Sequence, residues 1–394
     1  MTRIPRGVWV LGFVSLLMDA SSELVHALLP LFLVGTLGAS VALVGLIEGI
    51  AESIAMFAKV VSGYLSDRQQ RRKPWVLAGY GLAALSKLAF PLANTVGLVA
   101  AARFTDRIGK GIRGAPRDAL IADITPSEVR GASFGLRQAL DSAGAVLGPV
   151  LAIVAVGAFA GNVRMALWIA VIPAALCVAL ILFGVEDRAA RSEVKRKAIV
   201  IADLRKLDRR FVAVCVIASL MTLARFSEAF LVLRAQSVGA SNTAVPLVMV
   251  GMSVVYTLFA FPAGRWVDRG GATASLYVGC AALFAAHLVL ANATTLGVTV
   301  IGACLWGLHM AFTQGLFAAW VAAVVPEELR GSAFGVFNLA CGVALLVASV
   351  VAGLLWDRVS PAATFYTGAA LIAICAAAVA AMSARGQGFT GRSR

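Results

Sequence analysis

Twelve apolar runs, each long enough to cross a bilayer, follow one another along this 394-residue chain with only short polar gaps between most of them. They fall near 8–35, 43–65, 74–94, 97–115, 131–158, 164–184, 211–235, 244–266, 272–292, 296–322, 331–356 and 361–383. A spanning helix uses about 20 apolar residues, and lipid cannot satisfy an open backbone. The expected fold is therefore an all-α polytopic membrane protein of twelve helices. Composition excludes the other classes: 60% of residues are hydrophobic and 14% charged, against about 25% charged in soluble domains. The six cysteines stand singly inside apolar runs and read as small buried hydrophobes. Arg3 and Arg6 precede the first run as in a signal peptide. That run is too long, carries Asp19 and Glu23 and leads into a second span, so an uncleaved first helix is expected.

The longest polar gap, Glu186 to Arg210, separates six runs from six. It divides the chain into an N-terminal six-helix bundle (1–185), a basic linker (186–210) suited to an anionic leaflet, a C-terminal bundle (211–384) and a tail (385–394). The net charge of +14 sits in short clusters between runs rather than on one solvated face, so no nucleic-acid partner is expected. Turns near 36–42, 94–97, 238–243 and 292–296 contain no Lys or Arg, whereas the alternate loops and the tail are basic. The positive-inside rule then places the basic loops and both termini in the cytoplasm, with Arg164 and Arg358 as minor exceptions. A multi-pass protein of a bacterial cytoplasmic (inner) membrane is expected, as a monomer.

The halves repeat. Thr125-Pro126 through Glu128, Arg130, Gly131, Phe134 and Gly135 recurs 200 positions later as Val325-Pro326, Glu328, Arg330, Gly331, Phe334 and Gly335. Gly63, Asp67 and Arg68 are echoed by Gly264, Asp268 and Arg269, and Ser22-Glu23 by Ser227-Glu228. Three matches at nearly one offset imply duplication, two pseudo-symmetric bundles and a cavity between them.

Three segments carry a resemblance. Gly63-Tyr64-Leu65-Ser66-Asp67-Arg68, followed by Arg71, Arg72 and Lys73, resembles the G-x-L-x-D-R-x-G-R-K/R signature of the major facilitator superfamily, with Gln70 in place of its glycine. Arg107 to Gly111 is similar to the R-x-x-Q-G motif, with Lys110 replacing Gln. Gly144, Gly148 and Pro149 resemble the G-x-x-x-G-P motif of proton-driven exporters. The resemblance spans essentially the whole chain. It implies a latch in which Asp67, at the end of one helix, meets the positive N-terminus of the helix beginning near Gly331. Gly144 and Gly148 lie four apart, where small residues let another backbone approach, and Pro149 bends the helix.

The sharpest chemical signal is charge at bilayer depth. Asp19, Glu23 and His26 share one helical face, and Asp19 lies about 16 Å along its helix. Glu48, Glu52 and Lys59 follow in the second span and Lys87 in the third. Arg103, Asp106, Arg107, Lys110 and Arg113 lie in the fourth, and Arg137 and Asp141 in the fifth. Each charge at mid-depth costs about 2.5–3.5 kcal/mol against lipid, so these groups must pair or line water. Asp106 is expected to reach Arg103 or Lys110, and Arg137 to reach Asp141. Asp19 and Glu23, like charges one turn apart, need a cation or a proton. Asp19, Glu23, His26 and Glu52 are the candidate proton-coupling groups, with Arg107 as a counter-charge. Arg103, Asp106, Arg107, Lys110, Arg137, Asp141, Glu228, Gln314 and Asn338 are the candidate substrate cavity. Gly63, Asp67, Arg68, Arg72, Gly144, Gly148, Pro149, Asp268 and Arg269 are the candidate conformational motifs.

With the resemblance, these features imply a secondary transporter driven by a proton gradient, exporting a small molecule by alternating access and needing no cofactor or metal. Uptake or exchange of a small anion on the Arg103, Arg107, Lys110 and Arg113 column is the alternative, and a sensor on the same fold a distant third. An enzyme is not expected: Gly109-Lys110-Gly111 is no phosphate loop, and no HExxH, GxSxG or metal spacing occurs.

Overall fold

The structure, a computed structural model, describes residues 4–69, 72–185, 208–326 and 329–384. Most of the 186–210 linker and the 385–394 tail lie outside the described residues, as do the side chains of Asp67 and Arg68. Among the described residues, twelve helical spans follow the apolar runs. In the first half they are α1 (Arg6–Thr36), α2 (Val41–Gln69), α3 (Lys73–Leu92), α4 (Val96–Ile124), α5 (Arg130–Ala158) and α6 (Val163–Gly184). In the second half α7 comes in two pieces, Arg209–Ala224 and Ala229–Ser237. It is followed by α8 (Leu247–Trp266), α9 (Ala272–Ala291), α10 (Leu296–Val324), α11 (Arg330–Arg358) and α12 (Pro361–Ala384). Among the described residues, eleven stretches are apolar and long enough to cross a membrane. The exception is α4, whose charges dilute its hydropathy.

Two compact units emerge. Unit 1 holds described residues in 4–39, 50–185 and 241–246; unit 2 holds those in 40–49, 208–240 and 247–384. In unit 1, α1 lies along α5 and α3 along α4. In unit 2, α10 packs against both α8 and α9, and α12 against α9 and α7. The duplication is visible in the termini. Thr95 caps α4 by accepting from the Leu98 N–H (3.3 Å), and Thr295 caps α10 by accepting from Val298 (3.4 Å). Such hydroxyl caps satisfy a first-turn donor.

Arg164, which stood against the charge rule, is held by a local task. Its guanidinium donates to the carbonyls of Pro91 and Ala93 (3.1 and 2.9 Å) at the end of α3 and lies over the Phe32 ring. In unit 2, Arg234 does the same for α9, donating to Leu290, Ala291 and Ala293 at 2.8–3.1 Å. Cations satisfy the unpaired carbonyls and the negative pole of a helix C-terminus.

Two local departures matter. The fourth run was expected to end near 115. Instead α4 runs through Pro116 to Ile124, and Arg117 is an interior residue of a long helix. The seventh span was expected to be continuous but is interrupted at Arg225–Glu228. Non-helical backbone at membrane depth must be satisfied by protein. Here His287 Nε2 donates to the Ala224 carbonyl (2.9 Å), and the Ser227 N–H donates to Ser349 Oγ (3.2 Å).

Candidate functional site: a charged lattice in unit 1

The lattice is built on α4. Arg103, Asp106, Arg107, Lys110, Arg113 and Arg117 recur every three or four residues and so occupy one broad face. Two glycines let the neighbouring helices approach. A Cβ at Gly109 would stand 2.6 Å from the Gly79 carbonyl of α3, and one at Gly111 would stand 2.8 Å from the Ala55 carbonyl of α2. Behind α1, Gly144 and Gly148 of α5 do the same work. Added Cβ atoms there would meet the Leu16 and Ala20 carbonyls at 2.5 and 2.8 Å, and the one at 148 would meet Glu23 Cβ at 2.6 Å. The motif glycines thus set the depth of the helix face that carries Asp19 and Glu23.

The charges fall into two groups. In the first, Lys87 Nζ pairs with Asp106 Oδ1 at 2.6 Å and donates to Ser22 Oγ at 3.1 Å. Asp106 Oδ2 also faces Arg107 Nε (3.4 Å) and Arg103 Nη1 (3.8 Å). Arg107 Nη1 reaches Glu52 Oε1 at 3.0 Å, and His26 Nδ1 lies 3.3 Å from Glu23 Oε2. In the second, Arg113 faces Asp19 (3.8 Å) and stacks over the Tyr80 ring at 4.7 Å. Arg117 donates to Ser15 Oγ (2.9 Å) and pairs with Asp118 (3.1 Å) and Asp141 (3.7 Å). Arg137 pairs with Asp141 one turn along α5.

Burial orders these groups. The side chains of Lys87 and Arg103 are 0% exposed and Arg107 is 2%, whereas Glu23, Glu52 and Asp19 are 21, 26 and 27% exposed. Lys87, Arg103, Arg107 and Asp106 form the inner layer, and Asp19, Glu23 and Glu52 are the more exposed carboxylates. Lys110 is the exception: it is exposed and has no ion pair among the described residues. Withdrawing one partner from a buried pair such as Lys87–Asp106 costs about 3–5 kcal/mol, because the other charge stays behind.

Most residues singled out from the sequence come together here. Asp19, Glu23, His26, Glu52, Arg103, Asp106, Arg107, Arg137 and Asp141 all belong to the lattice, and Lys110 lies on the same helix face. The partners differ in two respects. The 2.6 Å partner of Asp106 is Lys87 of α3 rather than Lys110, and Arg107 serves Glu52 and Asp106. Glu228, Gln314 and Asn338 belong to unit 2, where no hydrogen bond or ion pair links them to one another among the described residues. Of the loop motif, Arg72 donates to Ser66 (3.1 Å) and faces Asp123 of α4 (3.6 Å), while Asp268 and Arg269 are exposed on a wider turn, Val267–Gly271. Pro149 is buried in α5. Sequence reasoning left Ser15, Ser22, Tyr80, Arg117 and Asp118 out. Continued three-and-four spacing past Arg113 was the signal for Arg117.

The sequence profile of the Major Facilitator Superfamily matches residues 11–234 and again 211–387. The chain belongs to the major facilitator superfamily. It is 30% identical over 378 residues to the MFS-type transporter MJ1317 of Methanocaldococcus jannaschii, covering 94% of this chain and 93% of that one. A shorter stretch of 145 residues is 29% identical to the multidrug resistance protein MdtH of Photorhabdus laumondii, covering 37% of this chain and 36% of MdtH. Among solved structures, the D323A mutant of the nucleoside transporter NupG superposes with a TM-score of 0.81 at 15% identity, over 95% of this chain and 99% of NupG. That likeness is one of fold. The superfamily membership makes this chain a membrane-embedded secondary transporter of a small molecule rather than an enzyme.

Proposed function

We propose that the chain exports a small, positively charged organic molecule in exchange for protons, from a bacterial inner membrane with both termini cytoplasmic. The observation that carries this reading is the layering of unit 1: buried cations behind, partly exposed Asp19, Glu23 and Glu52 in front. In this reading protons and the cation compete for Asp19, Glu23 and Glu52, each displacing the arginine or histidine that now faces the carboxylate. An anionic substrate is less well served, because Arg103, Arg107 and Arg113 face Asp106, Glu52 and Asp19 respectively. The GxxxGP glycines behind α1 add a rigid mount for Asp19 and Glu23. The two halves would rock between inward- and outward-open states as a monomer. Exchange of one proton for a singly charged cation moves no net charge, so the pH gradient drives it: one pH unit, about 1.4 kcal/mol, sustains about a tenfold substrate gradient.

Exchange predicts that substrate binding displaces protons. Ethidium added to detergent-purified protein in weakly buffered solution should release protons to a pH indicator, and Asp19→Asn with Glu23→Gln should abolish the release. Ethidium binding without any proton release in the native protein would defeat the exchange mechanism.

A further inference from the structure

The end of α11 and the start of α2 meet in a way that the charged lattice does not explain. Both oxygens of Asp357 accept first-turn N–H groups of α2: Val41 N at 3.2 Å and Ala42 N at 2.8 Å. Ser40 Oγ accepts a third, from Leu43 at 3.2 Å. An acid in the last turn of α11 opposes the negative pole of its own helix and belongs instead at a helix N-terminus. Its position is therefore set by α2.

Below this cap the two helices touch through small residues at four-residue spacing. A Cβ at Gly45 would stand 2.2 Å from the Ser349 carbonyl, and one at Gly49 would stand 2.9 Å from Leu346 Cα. One at Gly353 would stand 2.6 Å from Ala42 Cα. All of these residues fall in unit 2, whereas α2 from Ile50 onward groups with unit 1. The seam thus ends where α2 changes unit. The start of α2 follows a turn without basic residues, at the end opposite the basic loops. In the repeat the counterpart of Asp357 is Gly157, 200 positions earlier, which has no carboxylate to offer.

We propose that Asp357 is a lock on the outer side of the transporter. Its carboxylate on the N-terminus of α2 holds the α2–α11 seam shut while the inner side is open, and releases when the outer side opens. The inference rests on the alternating-access reading above. It also makes α2 and α11 a reciprocal pair: Asp67 near the end of α2 is expected to meet the start of α11, and Asp357 near the end of α11 meets the start of α2.

The test is accessibility, measured without substrate or pH gradient so that it stands apart from transport. The six native cysteines are replaced, and Val44→Cys, at a position buried in α2, reports through a membrane-impermeant maleimide applied from outside. A charge at an exposed helix terminus shifts such an equilibrium by about two- to fivefold. Asp357→Asn should raise the labelling rate about twofold and Asp357→Lys about fivefold or more. Asp357→Asn is isosteric and keeps an acceptor, so it decides the matter should the lysine variant fail to elute as a single folded species. Labelling at the native rate in Asp357→Asn, and in Asp357→Lys where it folds, would overturn the lock. That result would leave proton release by ethidium, and hence the exchange mechanism, untouched.

Discussion

Unit 1 and unit 2 share one duplicated helical plan yet fill it with opposite chemistry. Shifted by 200 positions, Lys87 and Asp106 become His287 and Trp306, and the 2.6 Å ion pair becomes an edge-to-face contact with ring centroids 5.4 Å apart. Arg103, Arg107, Lys110, Arg113 and Arg117 become Ala303, Gly307, Met310, Thr313 and Phe317, while Arg137 and Asp141 become Phe337 and Cys341. Phe226, from the break in α7, fills the centre of the second unit's cluster, 5.1–5.6 Å from Phe230, His287, Trp306 and Phe365. The fold therefore does not require the charges. An apolar core of aromatic rings holds the same positions without the cost of burying ions. What unit 1 holds beyond unit 2 is a set of paired, buried and part-exposed ionisable groups, the ones assigned above by proposal to proton exchange.

The comparison can be broken most forcefully at the Lys87–Asp106 pair. Asp106→Leu alone should cost about 3–5 kcal/mol and deplete folded protein, because Lys87 is left buried without its counter-ion. Adding Lys87→Met should recover most of that loss, measured as thermal denaturation by fluorescence-detected size-exclusion chromatography. The recovered double variant should have no function if the pair orients the lattice. Next in size is the glycine mount. Gly148→Ala should cost about 1–3 kcal/mol through overpacking against α1. Ala348→Gly, its counterpart in unit 2, should cost about 1 kcal/mol or less. The smallest contrast lies between the two helix-end arginines. Arg234→Met and Arg164→Met should each cost about 1–3 kcal/mol, with the larger loss at the more buried Arg234, whose three carbonyl partners stay inside the protein.

The sequence disclosed the twelve spans, all but α4 ending within a few residues of the expected bounds, because apolar length at bilayer scale admits little else, and the 200-residue offset disclosed the duplication. Charges at depth, spaced three or four apart, pointed to α1, α2, α4 and α5 as carrying the candidate site. Two features were not legible. Pro116 reads locally as a helix end, but the pairing of Arg117 with Asp118 and Asp141 and its bond to Ser15 hold α4 helical beyond it. The break at Arg225–Glu228 carries neither Pro nor Gly. It persists because His287 and Ser349, distant in sequence, satisfy the backbone that unwinding frees. Lys87 was visible as a buried charge, but its partner was not, since pairing between helices has no spacing rule along the chain. Asp357 was hidden for the same reason: its two partners lie more than 300 residues away.

The most direct test of proton-exchanging carboxylates in unit 1 is ethidium flux in everted vesicles with an imposed pH gradient, acidic inside. The native protein should accumulate ethidium in proportion to the gradient. Glu23→Gln, present in equal amount and equally stable, should lose that dependence on pH while still equilibrating or binding the dye. Gradient-driven accumulation at the native rate in both Glu23→Gln and Asp19→Asn, singly and combined, would contradict the assignment of proton coupling to these carboxylates.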